Sequence, residues 1–499
     1  MTQLAISTYS PANEAAALAD FLAAYPSYQT TAHLDELRER EYGRLDAQSH
    51  VYLDYTGGGL YAESQLRDHM ALLQANVFGN PHSHNPTSLA MTELVEHTRA
   101  AVLRYFNADP NEYCVIFTPN ASGALKLVGE SYPFCSGSRY ILAADDHNSV
   151  NGIREFARAH GATVHYAPLT SPDLRIDQVA LEQLLNEADP NHHNLFAFPA
   201  QSNYSGVKHP LELVARARAK GWDVLLDCAA FAPTNRLDLG AVQPDFAAFS
   251  FYKIFGYPTG LGALIARRDA LKRLRRPWFA GGTVKIVSVS AFGHYLAEDE
   301  AGFEDGTINY LGIPAIEMGL RHIESVGIES ITERVRCLTG WLLDQLGSLR
   351  HSNGRFLAKI HGPNNLDMRG GTITISFFDR DGTPISGQLI EKLAAQENIS
   401  LRTGCFCNPG AGETSFCLPK STMQAMFAQA RGMHFHELVD AVYQQHGVDV
   451  SAVRVSVGIV TNFTDVYRLL QFVAGFQDKT AVFLAGEQKT AVLYTRDTP

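Results

Sequence analysis

The sequence predicts an α/β protein: a large domain on a mainly parallel, doubly wound sheet, then a smaller C-terminal α/β domain. Three observations carry this. Short apolar runs alternate with helical stretches from Tyr113 to Ala266, the pattern of parallel strands joined by crossover helices. A helical pattern from Ile316 to Leu346 then leads away, and two apolar runs beyond it, Gly371 to Phe377 and Val453 to Val457, open a second set of strands. At 499 residues the chain exceeds what one hydrophobic core usually supports. The division expected is an N-terminal helical arm over 1–50, a large domain over 51–315 and a small domain over 316–499.

In order, Asn13 to Ala24 is rich in Ala and Leu, and Leu34 to Leu45 carries alternating charges, so both read as amphipathic helices of an arm. Val51 to Asp54 is a short strand ended by Gly57-Gly58-Gly59, a turn that permits close backbone approach or simply bends. Phe78 to Pro86 is a polar loop in which His82 and His84 stand without a third ligand. Strands follow at Tyr113 to Phe117, Tyr140 to Ala144, Leu195 to Phe198, Val224 to Leu226, Phe246 to Phe249 and Ala263 to Ala266. Ser122, His147, Asn203, Asp227 and Lys253 fall at or just past strand ends, where such sheets hold their ligands, and they are expected to converge. Ile316, Leu320 and Ile323 share one helix face; after Gly327, Ile328, Ile331, Val335, Leu338, Leu342 and Leu346 share another. Helices are also expected over Ile385 to Gln396 and Thr464 to Val473, and Lys479–Leu484 with Lys489–Tyr494 reads as a terminal hairpin.

Hydrophobic content of 45% and charged content of 19% describe an ordinary globular chain. A net charge of −11 argues against nucleic acid or an anionic membrane as main partner. The basic cluster from Arg267 to Arg276 reads as a solvated helix face. No run reaches the roughly 18 apolar residues of a membrane span, and no secretory leader is expected. Seven cysteines suit free thiols in a reducing cytoplasm better than a disulfide framework. Cys114, Cys135, Cys228 and Cys337 lie in apolar stretches and are expected in the core. Zinc at Cys405, Cys407 and Cys417 is the minority reading, given the one-residue gap and the distance to any His.

The chemistry centres on Lys253, placed after an apolar run and before a Gly/Pro-rich turn. Desolvation among Phe and Tyr disfavours the ammonium form and leaves a nucleophilic amine suited to a Schiff base with an aldehyde cofactor. Asp227 ends an apolar run, where a buried carboxylate can pair with a protonated pyridine nitrogen. Thr118 to Gly123 reads as a helix start able to cradle a phosphate. Neither GxGxxG after a strand nor GxxxxGK[ST] occurs, which speaks against nicotinamide and nucleotide phosphoryl chemistry.

Two stretches carry a resemblance: Ser250-Phe-Tyr-Lys253-Ile-Phe-Gly-Tyr-Pro-Thr-Gly-Leu-Gly262 and Arg402-Thr-Gly-Cys405-Phe-Cys407-Asn-Pro-Gly410. The chain resembles the fold-type I, class V family of pyridoxal-phosphate (PLP) enzymes over about residues 50 to 470. Within it the likeness is to cysteine desulfurases, above all the desulfurase part of molybdenum cofactor sulfurases. The resemblance implies a seven-stranded, mainly parallel sheet in the large domain. It implies Lys253 as the PLP-bearing lysine that later moves the substrate α-proton, Asp227 on the ring nitrogen, and His147 stacked on the ring. Asn203 would reach the ring hydroxyl, and Ala121, Ser122 and Ser250 would hold the phosphate. Thr307 would reach a phosphate across a homodimer interface. Arg454 would clamp the carboxylate of L-cysteine, with Arg402 nearby, and Cys407 would take the sulfur as a persulfide, leaving alanine. A sulfur acceptor, protein or cofactor, is implied and not identified.

Tyr252 stands where many bacterial desulfurases have His, as in the molybdenum cofactor sulfurase branch, whereas Gly412 replaces a Cys usual there and Tyr55-Thr56-Gly57 differs from the usual His-containing turn. The alternatives are a C–S lyase, epimerase or tailoring enzyme of the same class acting on another amino acid, and a sulfur-relay or scaffold protein with a vestigial site.

Overall fold

The computed structural model describes residues 9–81, 83–429, 435–446 and 449–486. Its central sheet has seven strands: β1 (Tyr113–Thr118), β2 (Arg139–Ala143), β3 (Thr163–Ala167), β4 (Asn194–Pro199), β5 (Asp223–Asp227), β6 (Phe246–Ser250) and β7 (Gly262–Arg267). They lie in the order β1-β7-β6-β5-β4-β2-β3. Neighbours are parallel except at β7, which runs antiparallel to β1 and β6.

The inner strands read as unbroken apolar runs because both faces are covered. Successive side chains alternate between two cores: Val115, Phe196, Leu226 and Phe249 enter one, while Ile116, Leu195, Leu225 and Ala248 enter the other. The edge strand β3 escaped the sequence reading. Its residues Thr163-Val-His-Tyr-Ala167 mix polar and apolar side chains, and Thr163 and Tyr166 stay exposed. Lys253 also differs from expectation, standing in a single helical turn, Phe251–Phe255, directly after β6. That turn ends at Gly256 with φ 78°, where an added Cβ would meet Leu60 backbone at 2.3 Å.

Helices Pro314–Val326 and Ile328–Ser348 meet at Gly327 and lead to the second sheet. There β8 (Ala358–His361), β9 (Thr372–Phe378), β10 (Arg402–Gly404) and β11 (Ala452–Ser456) lie in the antiparallel order β8-β9-β11-β10, with Pro384–Ile385 pairing β9. Val51–Tyr52 pairs in parallel with Ile399–Ser400, and Asp54 bridges to Ser456. The chain is therefore laid against the C-terminal strands before it enters the large sheet.

Three expectations are corrected. Residues 481–486 are helical, with Thr480 Oγ1 accepting from Phe483 N at 3.2 Å and Leu484 buried, so that half of the expected hairpin is no strand; residues 489–494 lie outside the described residues, as does His82. Cys135 is exposed at a turn, whereas Cys114, Cys228 and Cys337 are buried. The basic cluster is only in part a solvated face: Lys272 and Arg275 are exposed, but Arg273 reaches Asp223 at 2.6 Å, and Arg276, its side chain 1% exposed, reaches Asp305 at 2.5 Å.

The arm helices Glu14–Ala24 and His33–Tyr42 form as the patterns indicate. Buried Arg38 ties the second of them to helix Phe463–Ala474 through Asp465 at 2.5 Å, and it also holds Asp46 at 2.8 Å. Removing one partner of a buried pair strands the other charge. Arg38→Met is expected to cost about 3–5 kcal/mol, read from chemical denaturation.

Candidate functional site

The carboxyl ends of β4, β5 and β6, with the helix start after β1, close around a cavity of about 170 Å³. Lys253, Asp227, His147, Asn203, Ala121, Ser122 and Ser250 all line it, as the sequence predicts, joined by Asn120 and Tyr252, among others. Asp227 is buried at the tip of β5, and its Oδ1 accepts from Ala229 N at 3.0 Å. Burial pushes the Lys253 amine below the usual lysine range, while Asp227 pulls it partly back. Gly59 lies against the lysine turn, its N donating to Tyr252 O at 3.0 Å, and a Cβ there would meet Lys253 O at 2.9 Å. This is the close approach the Gly57–Gly59 turn permits.

His147 caps helix Asn148–Asn151, its Nδ1 accepting from Ser149 N at 3.1 Å. Burial pushes its pKa down. A neutral ring with Nδ1 as acceptor carries its proton on Nε2. At the helix Ala121–Ser131, Asn120 Oδ1 caps Gly123 N at 3.0 Å and Ser250 Oγ accepts from Ala121 N at 2.9 Å. Ser122 and Ser149 hydroxyls lie 2.6 Å apart at the same mouth. The helix dipole and the serine hydroxyls together suit a phosphate.

The small domain supplies the other half. Arg454 on β11 is buried, and its Nη2 donates to Asp54 Oδ1 at 2.9 Å and Nη1 to Asn203 O at 3.1 Å. Its Nε is buried without a partner among the described residues. Arg402, opposite it on β10, donates Nη2 to Asp54 Oδ2 at 2.5 Å. Two guanidiniums against one carboxylate leave one positive charge for an incoming anion. Sequence reasoning missed Asp54; the only signal was its place before the glycine turn.

Cys407 is exposed on the turn Cys405–Asn408, closed by Asn408 N donating to Cys405 O at 2.9 Å, with positive φ at Phe406 (54°) and Cys407 (55°). Its carbonyl accepts from Asn148 N at 2.7 Å, so the turn sits on the His147 segment. Thr307 is not brought to the Lys253 cavity. It lines another of about 450 Å³ with Thr118, Pro119 and Gly123, next to the start of helix Ala121–Ser131.

A lowered pKa makes the Lys253 amine reactive at lower pH than an ordinary lysine. Competitive acetylation followed by mass spectrometry is expected to titrate Lys253 below about 10.4. In Asp227→Asn, which removes the anion holding the ammonium, the midpoint moves lower still.

Residues 51–469 match the aminotransferase class-V family model. The chain is 37% identical over 487 residues to molybdenum cofactor sulfurase of Solanum lycopersicum, covering 91% of this chain and 59% of that protein. It is 34% identical over 464 residues to molybdenum cofactor sulfurase of Homo sapiens, covering 88% and 51%. The chain thus spans between half and three fifths of these relatives. Among solved structures, the fold superposes on an apo cysteine desulfurase from Thermococcus onnurineus NA1 with TM-score 0.72 at 22% identity, covering 88% of this chain and 97% of that one. For the cysteine desulfurase CsdA from Escherichia coli the TM-score is 0.69 at 21% identity, covering 90% and 98%. The cavity's groups fit pyridoxal phosphate: a desolvated amine for the aldehyde, a buried carboxylate for the ring nitrogen, and a helix start with serine hydroxyls for the phosphate. On this match of site and sequence, the chain belongs to the aminotransferase class-V family.

Proposed function

We propose that the protein is a PLP-dependent L-cysteine desulfurase that carries the released sulfur as a persulfide on Cys407, for delivery toward molybdenum cofactor. The observation that carries this reading is the docking of the Cys407 turn beside the cavity that Lys253, Asp227 and His147 line. The identity to molybdenum cofactor sulfurases supports the destination. When bound, the cofactor supplies an electron sink that weakens bonds of the amino acid. Lys253 moves a proton at the substrate α-carbon, and Asp227 holds the charge of the ring nitrogen. Arg454 takes the substrate carboxylate, its orphaned Nε and remaining N–H groups offering a fork. The Cys407 thiolate attacks the substrate sulfur, the S–S bond forms as the C–S bond breaks, and protonation of the carbon leaves alanine.

We place the working form as a homodimer in a reducing cytoplasm. The hairpin Val284–Ser288 with Gly293–Leu296 presents Phe292 (99% exposed), Val289 (89%) and Tyr295 (73%), an apolar surface suited to a second copy. Thr307 lies within the same part of the chain, beside the phosphate loop. Phe292→Asp is expected to shift sedimentation from dimer to monomer.

Purified protein loaded with PLP is expected to release alanine from L-cysteine with sulfur retained on the protein. In Cys407→Ala the rate falls at least about a hundredfold while the yellow chromophore persists, and in Lys253→Ala no borohydride-stable cofactor adduct forms. Alanine release undiminished in Cys407→Ala would sink the persulfide route; pyruvate in place of alanine would indicate a C–S lyase.

A further inference from the structure

We propose that Asn408 is the positioning residue of the reaction: its amide clasps Asn203 and so fixes the Cys407 turn over the cofactor cavity. The inference rests on the reading of Cys407 as nucleophile. Asn408 is fully buried although it follows an exposed cysteine. Its Nδ2 donates to Asp145 O at 2.6 Å and to Asn203 Oδ1 at 2.9 Å, while its Oδ1 accepts from Ala411 N at 3.2 Å to start helix Pro409–Ser415. Asn203 returns the contact, its Nδ2 donating to Phe406 O at 2.7 Å. The two asparagines thus bracket Cys407 from both sides.

The turn needs such a hold. Two successive non-glycine residues with positive φ are disfavoured and persist only where their surroundings over-determine them. Phe406 is packed with Tyr204, Leu174 and Ala452, and the Arg454 guanidinium lies 4.9 Å above its ring. Gly410 touches the strand end after β2, where an added Cβ would meet Ala144 O at 2.0 Å. The clasp also reports on the cavity. An amide nitrogen carries two hydrogens, and among the described residues Phe406 O takes one from Asn203. The other is left for a group in the cavity that Asn203 lines. A ring hydroxyl bound there would therefore orient the same amide that holds the sulfur-accepting turn.

Asn408→Asp and Asn408→Ser test this, since both keep a side-chain oxygen to cap the helix at Ala411 and both lose the amide N–H groups that reach Asn203 and Asp145. In PLP-loaded protein, two results are expected relative to wild type. Amide hydrogen exchange across 402–409 rises at least tenfold with the large sheet unchanged. Single-turnover alanine formation falls at least tenfold, while the cysteine concentration that half-saturates the cofactor's spectral change stays within twofold. Unchanged exchange in that segment, or a loss of rate matched by an equal loss of cysteine affinity, overturns the clasp. Should neither variant fold, Gly410→Ala, which pushes the same turn off Ala144, is held to the same two criteria. Should wild-type protein yield no alanine, the desulfurase reading falls while the exchange measurement still decides the clasp.

Discussion

The placement of a desolvated amine and a buried carboxylate in one cavity, at the ends of two adjacent parallel strands, is the constraint on which the site depends. Asp227 ends β5 in register with Ala248 of β6, and Lys253 follows β6 by three residues in one helical turn. Burial lowers the Lys253 pKa, and Asp227 opposes that shift. The balance leaves the amine more reactive than an ordinary lysine. Gly59 and Gly256 then become necessary, because side chains there would strike the backbone that carries the lysine or receives it.

The small domain completes the chemistry by bringing cations and a thiol to that mouth. Arg454 and Arg402 lie on neighbouring antiparallel strands, directly opposite one another, and share Asp54. Asp54 comes from the other end of the sequence, on the segment that pairs with the small domain before entering the large one. The same linkage of distant segments recurs at Arg38, whose guanidinium joins the arm to Asp465. Catalysis by proximity requires such fixed geometry between elements that the chain order keeps apart.

Most of the large sheet was legible because its inner strands are buried on both faces and so must be apolar throughout. The edge strand β3 was not, since one side of it meets water and its composition follows that exposure. Cys135 misled for the opposite reason: an apolar neighbourhood in sequence ends at a turn that carries the thiol to solvent. Arg276 read as a surface charge, yet its side chain is buried, with the buried side chain of Glu130 on one side and exposed Asp305 on the other. The site residues after strand ends were legible from topology, because parallel sheets open at one edge. Asp54 and Asn408 were not, because a short polar side chain has no periodic signature and declares its role only through its partners.

The sequence by itself determined the strand–helix alternation, the lysine with its flanking turn, the carboxylate at a strand tip and the cysteine loop, since each follows from local composition and spacing. Only the tertiary structure decided which arginines share Asp54, which asparagine holds the Cys407 turn, and that Thr307 faces a different cavity from Lys253. Those relations join residues tens to hundreds of positions apart, and hydrogen bonds of a few ångströms between them exist only once the two domains are packed.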